Sequence, residues 1–396
     1  MDYDVCIVGG GPAGMVAGLL FARAGVSTVV IEKHDDFLRD FRGDTVHPST
    51  LEIFHELGIA HRLLERPHDK VTSVSAVIGR KSYRVADFSR LPVHSKFIAM
   101  MPQWEFLDFV AEEARHYPAF ALRMGTEATG LIVEGKRVVG VVTGKGEIRA
   151  KLVIAADGRS SVLRAEAKLA REDLGAPIDV FWFRIPKPET RDNQTQGYIG
   201  PGEMLVTIDR GDYFQCARVI PKGSAERLRK IGLQQFRVDV GRTAPQLAGW
   251  LDSIDDWDKV KLLTVSLDRL KRWWRPGLLA IGDAAHAMSP VGGVGINLAI
   301  QDAVAAANML AGLLAAGEDV DALLAKVQKR RLPAVKKVQA MQRRVHESVI
   351  GRTLRSTKPT APLALRLLSA LPFLQRIPAK LIGLGGRPEH VTSPEA

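Results

Sequence analysis

Residues 4–25 of the chain read DVCIVGGGPAGMVAGLLFARAG, and this stretch decides the fold. A short apolar strand leads into a glycine-rich turn, and the apolar helix that follows ends at Gly25. This order of strand, turn and helix is typical of a dinucleotide-binding unit. Gly9 allows the tight turn, Gly11 lets the backbone approach a pyrophosphate, and Gly14 allows the helix to pack closely on the strand.

The residues that flank the turn complete the nucleotide-binding pattern. The predicted helix begins at Pro12 and Ala13, so its free N–H groups and positive dipole end lie beside the phosphates. A second apolar strand, 27–31, ends at Glu32, and the pattern places an acid that binds a ribose diol about 20 residues after the glycines. We count Lys33 in the same site. An acid here favours an adenosine with a free 2′-hydroxyl, as in FAD or NAD.

Length and composition indicate a globular protein of about two domains. A chain of 396 residues is too long for a single small hydrophobic core, and its 46% hydrophobic content is enough to form two. The first strand begins at Asp4, which leaves no room for a signal or transit peptide, so we expect a cytoplasmic protein. The two cysteines, Cys6 and Cys216, predict neither a disulfide framework nor a metal site.

The net charge of +11 is concentrated in the C-terminal segment, residues 326–396. This segment holds 15 Lys plus Arg against 3 Asp plus Glu, a balance of +12, which leaves about −1 for the rest of the chain. A solvated helix face with a docked C-terminal helix is the simplest interpretation, and peripheral contact with anionic lipid is the alternative. We expect no nucleic-acid binding, because no recognised motif or aromatic platform accompanies the charge.

Two further runs of glycine and acid follow apolar strands. Residues 157–164 read DGRSSVLR after the strand 152–156, and residues 282–286 read GDAAH after the strand 278–281. Ligands bind at the carboxyl ends of the strands in open α/β sheets. We therefore expect these two runs and the first glycine loop to form one site.

The pattern of elements predicts an α/β fold in which a strand-rich insertion interrupts a Rossmann-like FAD-binding domain. We assign residues 1–70, 97–177 and 271–325 to the FAD-binding domain, and residues 71–96 and 178–270 to a mostly antiparallel substrate domain. Within the substrate domain, the runs 71–78 and 81–88 predict a hairpin, and the run 262–267 predicts a strand. Residues 326–396 form the basic helical C-terminal segment. No second glycine fingerprint is visible, so we expect no separate nicotinamide-binding domain.

Together the three runs resemble the single-component, FAD-dependent aromatic hydroxylases of the p-hydroxybenzoate hydroxylase type, the group A flavoprotein monooxygenases. The resemblance covers residues 1 to about 315. It implies that Gly9, Gly11 and Gly14 hold the pyrophosphate and that Glu32 binds the ribose. The other cofactor residues that it implies are Arg42, Gln103, Asp157, Gly158, Gly282, Asp283, Pro290, Gly292, Gly295, Ile296 and Asn297.

The last of these residues also have a reason in the sequence itself. The run Gly292–Asn297 leads into an amphipathic helix, whose N-terminus supplies unpaired donors and a positive dipole end. Such an end would stabilise negative charge on a reduced flavin.

The resemblance implies a reaction in which NADH or NADPH reduces FAD and dioxygen forms a C4a-hydroperoxide that oxygenates an electron-rich ring. The expected substrate is a small aromatic, phenolic, quinone-like or otherwise lipophilic molecule. Candidate catalytic residues are His47, Tyr198, Arg218 and Pro290. His286 is either a further candidate or, more simply, a support for the Asp283 loop. Candidate substrate contacts are Trp182, Arg184, Tyr198, Phe214 and Gln215, of which alternation lets about half face the flavin.

Three other functions remain open at this point. A flavin-dependent halogenase shares the fold, and residues 181–186 echo its tryptophan signature with phenylalanine at both tryptophan positions. A reductase of isoprenoid chains would suit the basic, apolar C-terminal segment. A non-enzymatic flavin protein docked to a membrane is the third alternative. The sequence leaves a monomer and a homodimer equally open.

Overall fold

The structure is a computed structural model that describes residues 2–38, 45–79, 81–187, 195–356 and 360–396. The strands are β1 (Tyr3–Val8), β2 (Thr28–Ile31), β3 (Thr45–Val46), β4 (Asp69–Val71), β5 (Ser73–Ile78), β6 (Lys81–Asp87), β7 (Ile98–Met100), β8 (Phe120–Arg123), β9 (Ala128–Glu134), β10 (Arg137–Thr143), β11 (Gly146–Ala155), β12 (Arg171–Asp173), β13 (Ile178–Pro186), β14 (Gln196–Gly200), β15 (Glu203–Asp209), β16 (Tyr213–Pro221), β17 (Lys261–Leu263), β18 (Asp268–Leu270), β19 (Trp274–Arg275), β20 (Leu278–Ala280) and β21 (His286–Ala287).

The helices are α1 (Pro12–Arg23), α2 (Pro48–Glu56), α3 (Ala60–Leu63), α4 (Gln103–Arg115), α5 (Val162–Glu166), α6 (Ala225–Ile231), α7 (Leu233–Thr243), α8 (Gly295–Ala315), α9 (Asp321–Val345), α10 (Gly351–Thr353), α11 (Leu363–Ala370) and α12 (Arg376–Gly383). A π-helical turn at His346–Ile350 continues α9 into α10.

The first sheet has the strand order β19-β20-β11-β1-β2-β8, and β10 and β9 extend it beside β11. The pairs of β1 with β2 and β11, and of β11 with β20, are parallel. All four residues of β2 and the last four of β1 are buried, as expected for strands covered on both faces. This arrangement brings the three glycine and acid runs to one edge of the sheet, as predicted.

The second sheet has the order β17-β13-β16-β15-β14-β5-β6. Its pairs are antiparallel except that β14 runs parallel to β5, so the early hairpin joins the later strands as predicted. The sequence predicted a strand over residues 262–267, whereas β17 ends at Leu263. The mixed α/β fold with an inserted, mostly antiparallel sheet is confirmed. The exact domain boundaries stay a prediction.

Helix α8 forms the centre of the core. With the turn before it, Val291–Ala315, it is long and apolar enough to cross a membrane, but 72% of its apolar window is buried within the protein. The helix packs against α1, α9 and the 282–284 turn. We therefore treat α8 as a core helix.

Helices α6 and α7 cover one face of the second sheet. Phe236 of α7 is buried and meets the rings of Phe181 and Phe183 of β13 edge to face, with centroids 6.0 and 5.2 Å away. Aromatic pairs in this geometry add to the free energy gained by burial. The face that α7 covers is thus a core surface rather than a pocket.

We expect Phe236→Ala to lower the free energy of unfolding by about 3–5 kcal/mol, because it leaves a cavity between α7 and the sheet. Val238→Ala on the same helix is the control, since Val238 is 52% exposed and its loss should change stability by no more than about 0.5 kcal/mol. Chemical denaturation of both variants is the measurement. Equal losses would contradict this packing.

Candidate functional site: a flavin cradle

The first glycine loop is shaped by two close backbone approaches. Gly9 has a φ of +108°, and a Cβ there would lie 2.3 Å from the carbonyl oxygen of Ala156. A Cβ on Gly14 would lie 1.9 Å from the carbonyl oxygen of Gly9. A Cβ on Gly11, in contrast, would meet no atom within 4 Å. The open space over Gly11, at the N-terminus of α1, fits a pyrophosphate.

The carboxylate of Glu32 lies beside this loop. The backbone N–H of Gly10 donates to Glu32 Oε2 at 2.8 Å, and the N–H of His34 donates to Oε1 at 3.2 Å. These bonds hold the acid at the end of β2, where a ribose would be bound. Lys33 is exposed on the same turn.

The second run surrounds a carboxyl group with an unused acceptor. Leu163 N–H donates to Asp157 Oδ2 at 3.3 Å, whereas Oδ1 is buried and has no partner. Burial raises the pKa of Asp157. Gly158 follows with a φ of +81°, which bends the chain around the site. An orphaned, buried oxygen next to the open glycine loop suits a polar group of a dinucleotide.

A guanidinium pair links the second run to the third. Arg159 Nε donates to Asp283 Oδ2 at 2.9 Å, and Arg159 Nη2 donates to the carbonyl of Met288 at 3.2 Å. Arg164 donates to the carbonyls of Ala284 and Arg159. Sequence reasoning did not find these contacts, although both arginines belong to the run that it singled out.

Gly282 lies where α1 and α8 meet. Its φ is +59°, and a Cβ there would come within 3.0 Å of Ala299 Cβ and 3.2 Å of Ala13 Cβ. The Asp283 side chain beside it is about one third exposed and can reach a ligand. The structure therefore brings residues of the three runs together.

A buried chain of charges supports the Gly282 turn from behind. Asp302 of α8 accepts hydrogen bonds from Gly282 N–H at 3.1 Å and pairs with His286 Nε2 at 2.6 Å. Its other oxygen accepts from Arg331 Nε at 2.9 Å, and Arg331 also pairs with Glu389 at 3.1 Å. Burial alone would raise the pKa of Asp302, but the contacts with His286 and Arg331 outweigh it and hold that pKa below its usual value.

His286 accordingly supports the turn rather than reaching a substrate. Its position agrees with the simpler of the two sequence interpretations. Asp302, Arg331 and Glu389 were not predicted, since nothing in their sequence neighbourhoods indicates that they meet.

The loop before α8 is held open by glycines and tied to β3. Gly292 and Gly293 have φ values of +82° and +62°. Thr45 Oγ1 donates to the carbonyl of Gly293 at 3.1 Å. Asn297 accepts from His47 N–H at 2.9 Å and from Thr50 Oγ1 at 2.7 Å, and its amide donates to the carbonyls of Thr45 and Gly293.

The Asn297 side chain therefore stabilises the loop. The backbone N–H groups of the first turn of α8 can bind a ligand. Pro290, Gly292, Gly295 and Ile296 lie on the same loop and first turn, where the sequence placed them. Gln103 is the first residue of α4 and is partly exposed. Arg42 lies outside the described residues.

His47 is fully buried under this loop. Its Nδ1 lies 2.8 Å from the carbonyl of Ile382 in α12, and its Nε2 is buried without a partner. Burial lowers the pKa of His47 to about 4. The structure thus places His47 inside the protein under this loop, and its catalytic role stays a prediction.

The second sheet sorts the substrate candidates by face. Trp182 packs in a cluster with Val345 and with Val291, which belongs to the loop 290–294 before α8; we call this loop the flavin loop. Because side chains alternate along a strand, Arg184 and its neighbour Gln215 lie on the same face of the sheet as Trp182. The Arg184 guanidinium lies 4.9 Å over the Tyr213 ring. Gln215 Oε1 accepts from Arg210 Nε at 3.3 Å. These residues lie on the face of the sheet toward the flavin cradle, by which we mean the site formed by the first glycine loop, Asp157, the Gly282 turn and the flavin loop.

The remaining candidates lie on the opposite face of the sheet, so they are in the half that alternation was expected to turn away from the flavin. Tyr198 and Phe214 belong to the cluster under α7, and the Tyr198 hydroxyl donates to Gln196 Oε1 at 2.9 Å. Arg218 pairs with Glu203 at 2.6 Å and with Asp239 at 3.0 Å, and it lies over the Phe236 ring. Arg218 stabilises α7 against the sheet, on the face opposite Trp182.

Comparison with known proteins now adds to this geometry. A family model described as "FAD binding domain" matches residues 2–342. The chain belongs to this family, and its relatives include aromatic-compound monooxygenases of the p-hydroxybenzoate hydroxylase type. The protein is therefore an FAD-dependent monooxygenase that uses NAD(P)H and dioxygen.

Individual relatives agree in length and in fold. The chain is 32% identical to 6-methylpretetramide 4-monooxygenase from Streptomyces rimosus over 369 residues, which covers 91% of this chain and 88% of the relative. The solved structure of p-nitrophenol 4-monooxygenase from Pseudomonas putida DLL-E4 matches with a TM-score of 0.80 at 18% identity, over 97% of this chain and 99% of that one. Pseudomonas aeruginosa PqsL, solved with 2-aminobenzoylacetate, matches with a TM-score of 0.78 at 20% identity, over 89% and 98%.

Gly11 offers a direct test of the cradle. We expect Gly11→Ala to keep its fold, because the residue has a φ of −75° and open space around its Cβ, yet to weaken FAD binding by at least about tenfold by filling the phosphate space. Titration of apoprotein with FAD, followed by flavin fluorescence, measures this. Gly14→Ala is the contrast, since its Cβ would strike backbone and destabilise the apoprotein itself. Unchanged FAD affinity in Gly11→Ala would refute the cradle.

His47 predicts a pH dependence of stability. The unfolded chain takes up a proton near the usual pKa of 6.5, whereas the folded protein takes it up only near 4, so stability falls as the pH drops from 6.5 to 4. The slope attributable to His47 approaches about 1.4 kcal/mol per pH unit. We expect His47→Gln to remove this part of the slope, and the exposed His61→Gln to leave it unchanged. Denaturation curves across this pH range decide between the two results.

Proposed function

We propose that this monooxygenase hydroxylates, or epoxidises, a multi-ring phenolic or quinone-like substrate held between the flavin loop and the second sheet. The observation that carries the proposal is the indole of Trp182. It packs against the cluster that includes Val291, and its Nε1–H is buried without a partner. A buried donor without a partner is costly, and an oxygen of a phenol or quinone would satisfy it.

The surroundings of Trp182 suit an aromatic molecule with a polar edge. Ala217, Val206 and Met204 supply an apolar surface on the same face of the sheet. Arg184 and Gln215 add polar groups toward the end of β13. A mostly apolar pocket with a few placed polar groups is the common form of a small-molecule site.

The relatives support an aromatic substrate of this kind. The Streptomyces rimosus relative at 32% identity is named for 6-methylpretetramide, and the PqsL structure holds 2-aminobenzoylacetate. Both names belong to those proteins. For this chain they favour an aromatic compound over an isoprenoid chain.

The protein's contribution to the reaction follows from the cradle. When bound, FAD supplies electron transfer from NAD(P)H and the activation of dioxygen. We propose that Gly9, Gly11 and Gly14 hold its pyrophosphate and that Glu32 holds its ribose. Asp157 and Asp283 would bind the part of FAD that joins the pyrophosphate to the flavin ring. The backbone donors at Gly295 and Ile296 would stabilise negative charge on the flavin ring. The apolar side chains around Trp182 would help to exclude water from the reacting centre.

Trp182→Phe tests the substrate site. The variant keeps the ring and removes the N–H, so KM for an oxygenated substrate should rise about fivefold, the equivalent of one hydrogen bond of about 1 kcal/mol. Trp257→Phe is the matched control, because Trp257 packs beside Phe236 on the far face. Steady-state NAD(P)H oxidation with multi-ring phenols gives both values. Equal KM changes in the two variants would contradict the proposed pocket.

The product distinguishes the alternatives that the fold leaves open. A monooxygenase adds one oxygen atom, a reductase adds two hydrogens, and a halogenase adds a halogen. Mass spectrometry of the products of the FAD-loaded enzyme separates these outcomes, with halide present throughout. Reduced or halogenated product without oxygenation would refute the proposal.

We also propose a cytoplasmic location, since Cys6 and Cys216 are both free, buried thiols. A monomer and a homodimer both remain compatible with the fold. Peripheral membrane contact through the basic C-terminal segment stays a proposal, supported by the balance of +12 over residues 326–396.

A further inference from the structure

A long acid-free stretch lies within the C-terminal segment. Between Glu347 and Glu389 the sequence has no Asp or Glu, and it has seven Lys or Arg over the same 41 residues. The stretch is also rich in leucine, isoleucine and proline. A surface that combines apolar and only positive side chains is unusual on a soluble domain.

The structure exposes the apolar residues of this stretch together. We define the docking face as five side chains of α11, α12 and the turn between them: Leu363, Leu367, Leu371, Phe373 and Ile377. Leu363, Phe373 and Ile377 are 71%, 64% and 68% exposed. Leu363 and Leu367 are spaced by four residues, so they lie along one side of α11, and Leu371 follows directly after the helix.

The other side of α12 is anchored, which fixes the direction of the docking face. Ala379 and Leu384 are buried in a cluster with Phe88, Leu91 and Ile98. A Cβ on Gly383 would lie 2.9 Å from Leu91 and 3.2 Å from Pro48. Because the inner side of α12 is packed in this way, the side chain of Ile377 on its outer side faces solvent in a fixed orientation.

Hydrogen bonds also fix α11 and the turn. Gln375 Nε2 donates to the carbonyls of Leu368 and Ser369 at 3.2 Å. The backbone N–H of Arg84 in β6 donates to Ser369 Oγ at 3.1 Å. The docking face thus belongs to a structured unit that rests on the edge strand of the second sheet.

Charge decides which partner fits this face. Arg366, Arg376 and Lys380 are exposed beside the apolar residues. Next to α12, an apolar cleft lined by Met341, Val349 and Leu381 carries Lys337 and Arg344. A second copy of the chain would bring the same positive charges together, whereas anionic headgroups would neutralise them.

We propose that the docking face rests on an anionic phospholipid bilayer, with its apolar side chains in the headgroup and acyl boundary. Helix α12 borders the flavin cradle, since its Ile382 carbonyl lies 2.8 Å from His47 Nδ1. Docking would therefore place the active-site side of the enzyme close to the membrane. A lipophilic aromatic substrate dissolved in the bilayer would be at hand there.

The experiment is co-sedimentation of the full-length, FAD-loaded enzyme with vesicles. Vesicles of phosphatidylglycerol and phosphatidylcholine are compared with pure phosphatidylcholine, at low and high salt. The test variant is Leu363→Gln, Phe373→Gln, Ile377→Gln, which keeps the charge unchanged. The matched control is Ile231→Gln, Val238→Gln, Leu262→Gln, whose residues are 57%, 52% and 38% exposed and lie on α6, α7 and the opposite edge strand β17.

We expect the wild type and the control to bind the anionic vesicles in a salt-sensitive manner, and the test variant to lose at least about tenfold in partitioning. Thermal melts of the three proteins confirm that each is folded. No binding by the folded wild type would overturn the proposal, as would equal binding by the test variant. A wild-type dimer that the test variant breaks, without vesicle binding, would assign the face to a second copy and likewise overturn it. Monooxygenase turnover in free solution is independent of all these outcomes.

Discussion

Backbone packs directly on backbone where Gly9, Gly14 and Ala156 meet, and the cofactor site depends on this contact. No side chain fits between Gly14 and the carbonyl of Gly9, or between Gly9 and the carbonyl of Ala156. The contact sets α1 against β1 and β11 at their carboxyl ends. It leaves the space over Gly11 open at the helix N-terminus, which is the place where an anion is best stabilised. The Gly282 turn then closes on Ala13 of the same helix.

A second constraint ties the cradle to the far end of the chain. The buried Asp302 carboxylate holds the Gly282 turn, and Arg331 and Glu389 carry the ionic contact out to the C-terminal segment. A buried charge is tolerated only when it is paired and hydrogen-bonded, so these residues depend on one another. The basic segment is therefore part of the cofactor-binding body, and its outward side is what remains for a partner.

The sequence predicted those parts of the fold that depend on residues close together in the chain. The glycine turns, the hairpin of β5 and β6, and the three runs at strand ends follow from turn chemistry and periodicity. The parallel pairing of β14 with β5 and the end of β17 at Leu263 depend on contacts between distant segments, which one sequence does not reveal. The same limit explains Arg159 with Asp283 and the Asp302 network. The sequence left open which face Tyr198 and Arg218 occupy, because a strand's pattern gives alternation, while the neighbouring helix α7 decides which side is the core.

The central claim is that these runs form one flavin site that transfers oxygen from dioxygen to an aromatic ring. Isotope labelling tests it most directly. We would incubate the FAD-loaded enzyme with NAD(P)H and a phenol that stimulates turnover, under ¹⁸O₂ in ordinary water. Mass spectrometry then measures the ¹⁸O content of the product. The account predicts one ¹⁸O atom in each hydroxylated product. A product whose new oxygen comes from water would contradict it.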